Sequence, residues 1–227
     1  MHGTHKGTGT PFAFGFAAAL AALLLFATLA TQVAHGQTFA FDQSIREAVR
    51  GSGTPALTTL MRGLTVVGQP LALLVLSVAG SLVFCRMGWR QGAALLLATG
   101  IGAVLLGAAL KLTFQRARPE AFFHDAASGY GFPSGHALVS TATLAGMAML
   151  AASRVENTRI RAAIWITALT VAGAIGLSRV YLGVHYPSDV LAGYAVGAIW
   201  AWSVIQAGQF LQRRYSRDRC TAVSARG

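Results

Sequence analysis

Residues 91–110 read QGAALLLATGIGAVLLGAAL, twenty positions without a charge, closed by Lys111. As a helix, about 20 such residues rise roughly 30 Å, the thickness of a bilayer's hydrocarbon core. The stretch is continuously apolar rather than alternating, which selects a helix over a barrel strand. Five further charge-free runs flank it, at 7–41, 63–85, 126–153, 162–178 and 190–212. Ala, Gly, Ser and Thr recur in them, and small residues let membrane helices approach closely. The expected fold is all-α: a polytopic membrane protein, a bundle of six transmembrane helices in one domain over residues 1–227.

Composition agrees. Of 227 residues, 54% are hydrophobic and only 11% charged, where a soluble domain carries about 25% charged. Mean hydropathy is +0.55. Disorder is excluded, because a disordered chain needs low hydrophobicity and high charge. The net charge of +11 does not mark a nucleic-acid partner. The basic residues lie in the breaks between apolar runs, where they report orientation and anionic headgroups. Cys85 and Cys220 form neither a disulfide framework nor a metal-type spacing.

Six spans place Lys6, Arg86, Arg90, Arg154, Arg159, Arg161 and the tail arginines 213, 214, 217, 219 and 226 on one side. Arg46, Arg50, Arg62, Lys111, Arg116, Arg118 and Arg179 fall on the other. Eleven against seven assigns the first side to the cytoplasm. Both termini are then inside, the tail 213–227 is a solvated basic anchor, residue 125 is outside and residue 156 inside. A rival reading treats Ala34-His35-Gly36 as a signal-peptidase site, which leaves five spans. Between the first two runs, Ile45 and Val49 stand four apart among Arg46, Glu47 and Arg50. That spacing suits a short interfacial helix packed on the bundle or admitting a lipid.

Three outer segments carry chemistry. The first is Lys111-Leu-Thr-Phe-Gln-Arg-Ala-Arg118-Pro119. Seven positions are nearly two helical turns, so both cations share a face if the helix continues to Pro119; the bland alternative is a cluster snorkelling to headgroups. The second is Pro133-Ser134-Gly135-His136, opening an apolar helix. Ser134 is placed to cap it, and a helix N-terminus attracts phosphate. Gly135 allows close backbone approach, and His136 sits in the first turn. The third runs from Ser178-Arg179 to His185, Pro187 and Asp189. A carboxylate four residues on can orient an imidazole that attacks or accepts a proton, or simply form a structural pair. Charges near spans are costly and mark function, and all three segments share one side.

Together these motifs resemble the type 2 phosphatidic acid phosphatase (PAP2) superfamily of membrane lipid phosphatases. The signature Lys111 to Arg118-Pro119, Pro133-Ser134-Gly135-His136, and Ser178-Arg179 to His185 and Asp189 is matched throughout, over 111–189. The resemblance implies that Lys111, Arg118, Arg179, Ser134 and Gly135 bind phosphate. It implies that His185 is the nucleophile, Asp189 orients it, and His136 is the general acid and base. It implies no cofactor and no metal, in a multi-pass protein of the bacterial inner membrane with its site on the periplasmic face. The expected substrate is a lipid phosphate or diphosphate, foremost undecaprenyl diphosphate, then phosphatidylglycerophosphate, phosphatidic acid or a lipid A phosphate. Three alternatives stay open: a zinc held by His136, His185 and Asp189, a lipid-phosphate transporter, and a phosphotransferase with a lipid acceptor.

Overall fold

The computed structural model describes residues 9–123 and 128–224, with side chains for 15–212 and 214 within those bounds. Lys6, residue 125 and Arg226 lie outside the described residues. Eight helices follow in order: α1 Gly9–Ala34, α2 Phe39–Arg50, α3 Pro55–Val67, α4 Pro70–Arg86, α5 Arg90–Phe114, α6 Gly135–Ala152, α7 Thr158–Tyr181 and α8 Pro187–Ser224. No strand occurs among the described residues.

Segments of α1, α5, α6, α7 and α8 are each long and apolar enough to cross a membrane, and α3 with α4 forms a sixth, bent candidate. The run 63–85 is thus divided between two helices, with a bend of 54°. The helix already starts at Pro55, where the Thr54 hydroxyl accepts from the Leu57 N–H at 3.3 Å. It breaks at Gly68-Gln69-Pro70, since a proline has no N–H to continue the ladder and disfavours helix in the residue before it. Gly68 lies against the Ile175 side chain.

In α6, 61% of the hydrophobic window is buried, against 6% in α1, so α6 is central and α1 peripheral. Leu73, Ala103, Leu138, Val139, Ala142 and Val196 pack together where α4, α5, α6 and α8 meet. Small residues set the closest approach. A Cβ at Gly193 of α8 would fall 2.7 Å from the Ser134 carbonyl and 2.9 Å from Ala137 Cβ. Outward faces stay apolar, as at Leu24, Leu71, Leu105 and Ile166, which suits a hydrocarbon solvent.

α1 runs antiparallel to α8: Leu29 and Ala30 pack with Ala192, whereas Phe16 meets Trp202. The start of α1 and the end of α8 therefore share one end of the bundle. The C-terminal ends of α5 and α7 and the N-terminal ends of α6 and α8 share the other. There α2 lies across the bundle, with Ile45 and Val49 on Ala137, Val180 and Val190. That is the packing face expected from their spacing.

Candidate active site

The first segment departs from expectation. α5 ends at Phe114, and Gln115 takes the left-handed conformation (φ 46°), its N–H bonded to the Lys111 carbonyl at 3.0 Å. Arg118 is therefore not one helical face with Lys111. It stands in an extended loop, and Gly131 N–H on Arg116 O (2.8 Å) ties that loop to the approach to α6. The two cations still converge on the same end of the bundle. Lys111 Nζ donates to the Tyr130 carbonyl at 2.6 Å.

His185 reaches the site through a turn after α7. Gly183 (φ 75°) supplies the positive φ that most side chains avoid, and a Cβ there would meet Phe122 at 2.7 Å. The imidazole is 1% exposed. Its Nδ1 lies 3.2 Å from Asp189 Oδ2, and its Nε2 lies 2.7 Å from Arg118 NH1. A guanidinium only donates, so Nε2 must accept, and the proton belongs on Nδ1. The tautomer is thus fixed with its lone pair on Nε2. Burial outweighs the Asp189 interaction and holds the His185 pKa at about 4, so the ring is neutral near pH 7. Burial also lowers the Arg118 pKa, with Asp189 opposing it.

Ser134 precedes α6, but its hydroxyl makes no capping bond, against the expectation of a serine cap. Its Oγ is buried without a protein partner, as is His136 Nε2. The Ser134 N–H is taken by the Asp189 carbonyl at 2.9 Å, which ties the starts of α6 and α8 together. A Cβ on Gly135 would lie 3.6 Å from Lys111 Cε, so this backbone and Lys111 are neighbours. Arg179, in the last turn of α7, donates to Thr65 Oγ1 at 3.1 Å. A cavity of about 680 Å³ brings Arg118, His136 and Arg179 together with Arg62, Thr65 and Gln69. All eight expected residues therefore gather at one end, with His185 immediately behind Arg118. Among the described residues, no three His, Cys, Asp or Glu side chains form a metal-ligand set.

Sequence reasoning missed two layers. Arg62, Thr65 and Gln69 enter the cavity because the chain bends between α3 and α4. Arg116 and Asp42 sit behind Asp189: Arg116 NH1 contacts Asp189 Oδ1 at 2.6 Å, and NH2 contacts Asp42 Oδ2 at 2.8 Å. Their signal was present as charges at the edges of apolar runs, where topology is the usual explanation.

The family model described as PAP2 superfamily matches residues 88–213. Phosphatidylglycerophosphatase B of Bacillus subtilis is 30% identical over 181 residues, covering 78% of this chain and 87% of that one. An undecaprenyl-diphosphatase of Sulfolobus acidocaldarius is 32% identical over 102 residues, covering 42% of this chain and 45% of that protein. A crystal structure of a transmembrane PAP2-type phosphatidylglycerolphosphate phosphatase from Bacillus subtilis aligns with a TM-score of 0.73 at 28% identity, covering 84% of this chain and 96% of that one. Fold and site thus define a multi-span membrane phosphatase. The chain belongs to the PAP2 superfamily.

Proposed function

We propose that this protein hydrolyses a lipid phosphate or diphosphate through a phosphohistidine on His185, with undecaprenyl diphosphate as the preferred substrate. The observation that carries the reading is His185 itself: Nδ1 on Asp189, and Nε2 held by Arg118, a cation of the cavity.

A phosphate entering the cavity draws the Arg118 guanidinium onto its oxygens and so frees Nε2. Lys111, Arg179, Ser134 Oγ and the Gly135 N–H bind the remaining oxygens and the charge that develops in transfer. Nε2 then attacks phosphorus in line. The P–N bond forms as the P–O bond to the leaving group breaks, and His136 protonates the departing oxygen. In the second step His136 takes a proton from water, the water oxygen bonds to phosphorus, and the P–N bond breaks. Inorganic phosphate leaves, and His185 is restored.

Lipid rather than soluble substrates are supported by the cavity wall. Val66 and Leu71 line it beside the arginines and are 59% and 70% exposed on the outside of the bundle. An amphiphile can bring its phosphate to this cavity while its chains stay in the membrane. Three arginines, 62, 118 and 179, on one cavity suit two linked phosphates better than one. Phosphatidylglycerophosphate is the second reading, favoured by the near full-length likeness to phosphatidylglycerophosphatase B. The charge asymmetry supports a bacterial inner-membrane protein with both termini cytoplasmic and the site on the outer face.

The test is phosphate release by detergent-purified protein in EDTA from undecaprenyl diphosphate, phosphatidylglycerophosphate and phosphatidic acid, with His185→Ala as control. The reading expects His185-dependent release, fastest from the diphosphate. Lipid binding without turnover, unchanged by His185→Ala, would instead indicate a transporter, and a phosphorylated lipid alcohol among the products a transferase.

A further inference from the structure

Helix α2 sends one carboxylate into the bundle. Asp42 is fully buried, yet it is absent from the cavity wall. Its Oδ1 accepts the Ser188 N–H at 2.9 Å, and its Oδ2 accepts the Ser188 hydroxyl at 2.7 Å and an Arg116 N–H at 2.8 Å. Arg116 also donates to Thr38 Oγ1 at 3.0 Å, to Ser188 Oγ at 2.7 Å and to Asp189 Oδ1 at 2.6 Å. Its guanidinium lies 4.2 Å from the Tyr186 ring centroid. The other oxygen of Asp189 takes His185 Nδ1 and the Tyr186 N–H, at 3.2 and 3.0 Å. Each Asp189 oxygen is thus committed to a different side, one to Arg116 and one to the imidazole.

Stability alone does not call for this arrangement, because apolar residues of similar volume often serve a buried site as well as a buried ion pair. We propose that Arg116, clamped by Asp42, is a positioning residue that locks the rotation of Asp189 and shares its charge, so that α2 sets the reactivity of His185. The inference rests on His185 being the nucleophile. Neither Arg116 nor Asp42 lines the cavity, so their loss should slow chemistry and spare binding.

The charge arrangement also fixes a sign. His185 faces Asp189 from α8, Arg118 from the loop, Lys111 from α5 and His136 from α6. Arg116, Asp42 and Arg46 stand behind Asp189, and Arg179 of α7 acts on His136. Removing the Arg116 cation leaves the Asp189 charge to His185 alone and favours the imidazolium. The acid limb of the rate profile then moves to higher pH. Removing the Asp42 charge leaves Arg116 wholly to Asp189, so that limb stays or moves lower.

The experiment measures kcat, KM and their pH profiles for the full chain in detergent with EDTA, on whichever of undecaprenyl diphosphate, phosphatidylglycerophosphate or phosphatidic acid it hydrolyses fastest. Variants are Arg116→Gln, Arg116→Lys, Asp42→Asn and His185→Gln. Arg116→Gln should lower kcat about 100-fold, with KM within about threefold, because misplacement of a reacting group costs about that much. Arg116→Lys should recover about tenfold of it, since the cation is kept and the fork is lost. The acid limb should rise by about one pH unit in Arg116→Gln and not in Asp42→Asn. A kcat within threefold of wild type in Arg116→Gln overturns the proposal, as does a loss with no limb shift and no rescue by lysine. If Arg116→Gln does not yield monodisperse protein, Asp42→Asn decides: about a tenfold loss in kcat supports the clamp, and wild-type kcat overturns it. An active His185→Gln refutes the nucleophile assignment instead. An inactive His185→Gln beside an unimpaired Arg116→Gln refutes only the clamp.

Discussion

Replacing Asp189 by Asn keeps the side chain's shape and removes one acceptor. Asp189 Oδ2 accepts from both His185 Nδ1 (3.2 Å) and the Tyr186 N–H (3.0 Å), whereas Oδ1 accepts from Arg116 (2.6 Å). An asparagine satisfies only one side. With its oxygen toward His185, its NH₂ faces the Arg116 donor. With its NH₂ toward His185, it faces the Tyr186 N–H and forces the imidazole proton onto Nε2, the atom that must attack. Each orientation loses a charge-assisted bond of roughly 1.5–3 kcal/mol. The tautomer exchange adds to this, and in a Ser–His–Asp triad the same substitution costs about 10⁴ in kcat. We therefore expect kcat to fall about 10³ to 10⁴-fold, or roughly 4–5.5 kcal/mol in the barrier, with KM little changed. The assay is phosphate release in EDTA at saturating lipid, on protein whose gel-filtration profile and Tm match wild type. A kcat within tenfold of wild type would refute the orienting role of Asp189.

Ser134 Oγ is buried without a protein partner, so Ser134→Ala should leave Tm nearly unchanged. Its kcat/KM should fall about tenfold to a hundredfold, as expected for one hydrogen bond to a charged oxygen; an unaltered kcat/KM removes it from the phosphate site. With the His185 pKa held at about 4, protonation should cut kcat/KM only as pH falls toward and below that value. The unfolded histidine binds its proton near pH 6.5. His185 therefore contributes stability in full above that pH and loses it as pH falls through the window to about 4. A stability that falls no more between pH 7 and 4 in wild type than in His185→Gln would contradict this. Gly193→Val should lower stability by about 1–3 kcal/mol, read as Tm in detergent, because its Cβ would fall 2.7 Å from the Ser134 carbonyl. Cysteines introduced at exposed Ser128 and Glu156 should react with impermeant reagents from the outer and the inner side respectively, and the reverse pattern would invert the proposed topology.

The helices were legible because hydropathy alone separates them, and the shared end of the three motifs followed from counting spans. What hydropathy does not register is direction. Gly68-Gln69-Pro70 interrupts an apolar run without changing its polarity, so the bend that admits Arg62, Thr65 and Gln69 to the cavity went unseen. The spacing of Lys111 and Arg118 fits a helix face, yet a left-handed Gln115 ends that helix, and Arg118 reaches His185 through a loop. Ser134 has a capping residue's position without a cap's hydrogen bond. The Asp42–Arg116–Asp189 chain joins residues 147 positions apart in sequence. Only the docking of α2 on the starts of α6 and α8 makes them neighbours.

The most direct test of the phosphohistidine is to trap it. Full-length protein in EDTA is mixed with lipid carrying ³²P on its terminal phosphate, quenched within one turnover, and digested under alkaline conditions. The expected result is an acid-labile, alkali-stable label on the peptide containing His185, absent from His185→Ala and present but slow to form in Asp189→Asn. Label on any other residue, or undiminished turnover by His185→Ala, would contradict the assignment of His185 as the nucleophile.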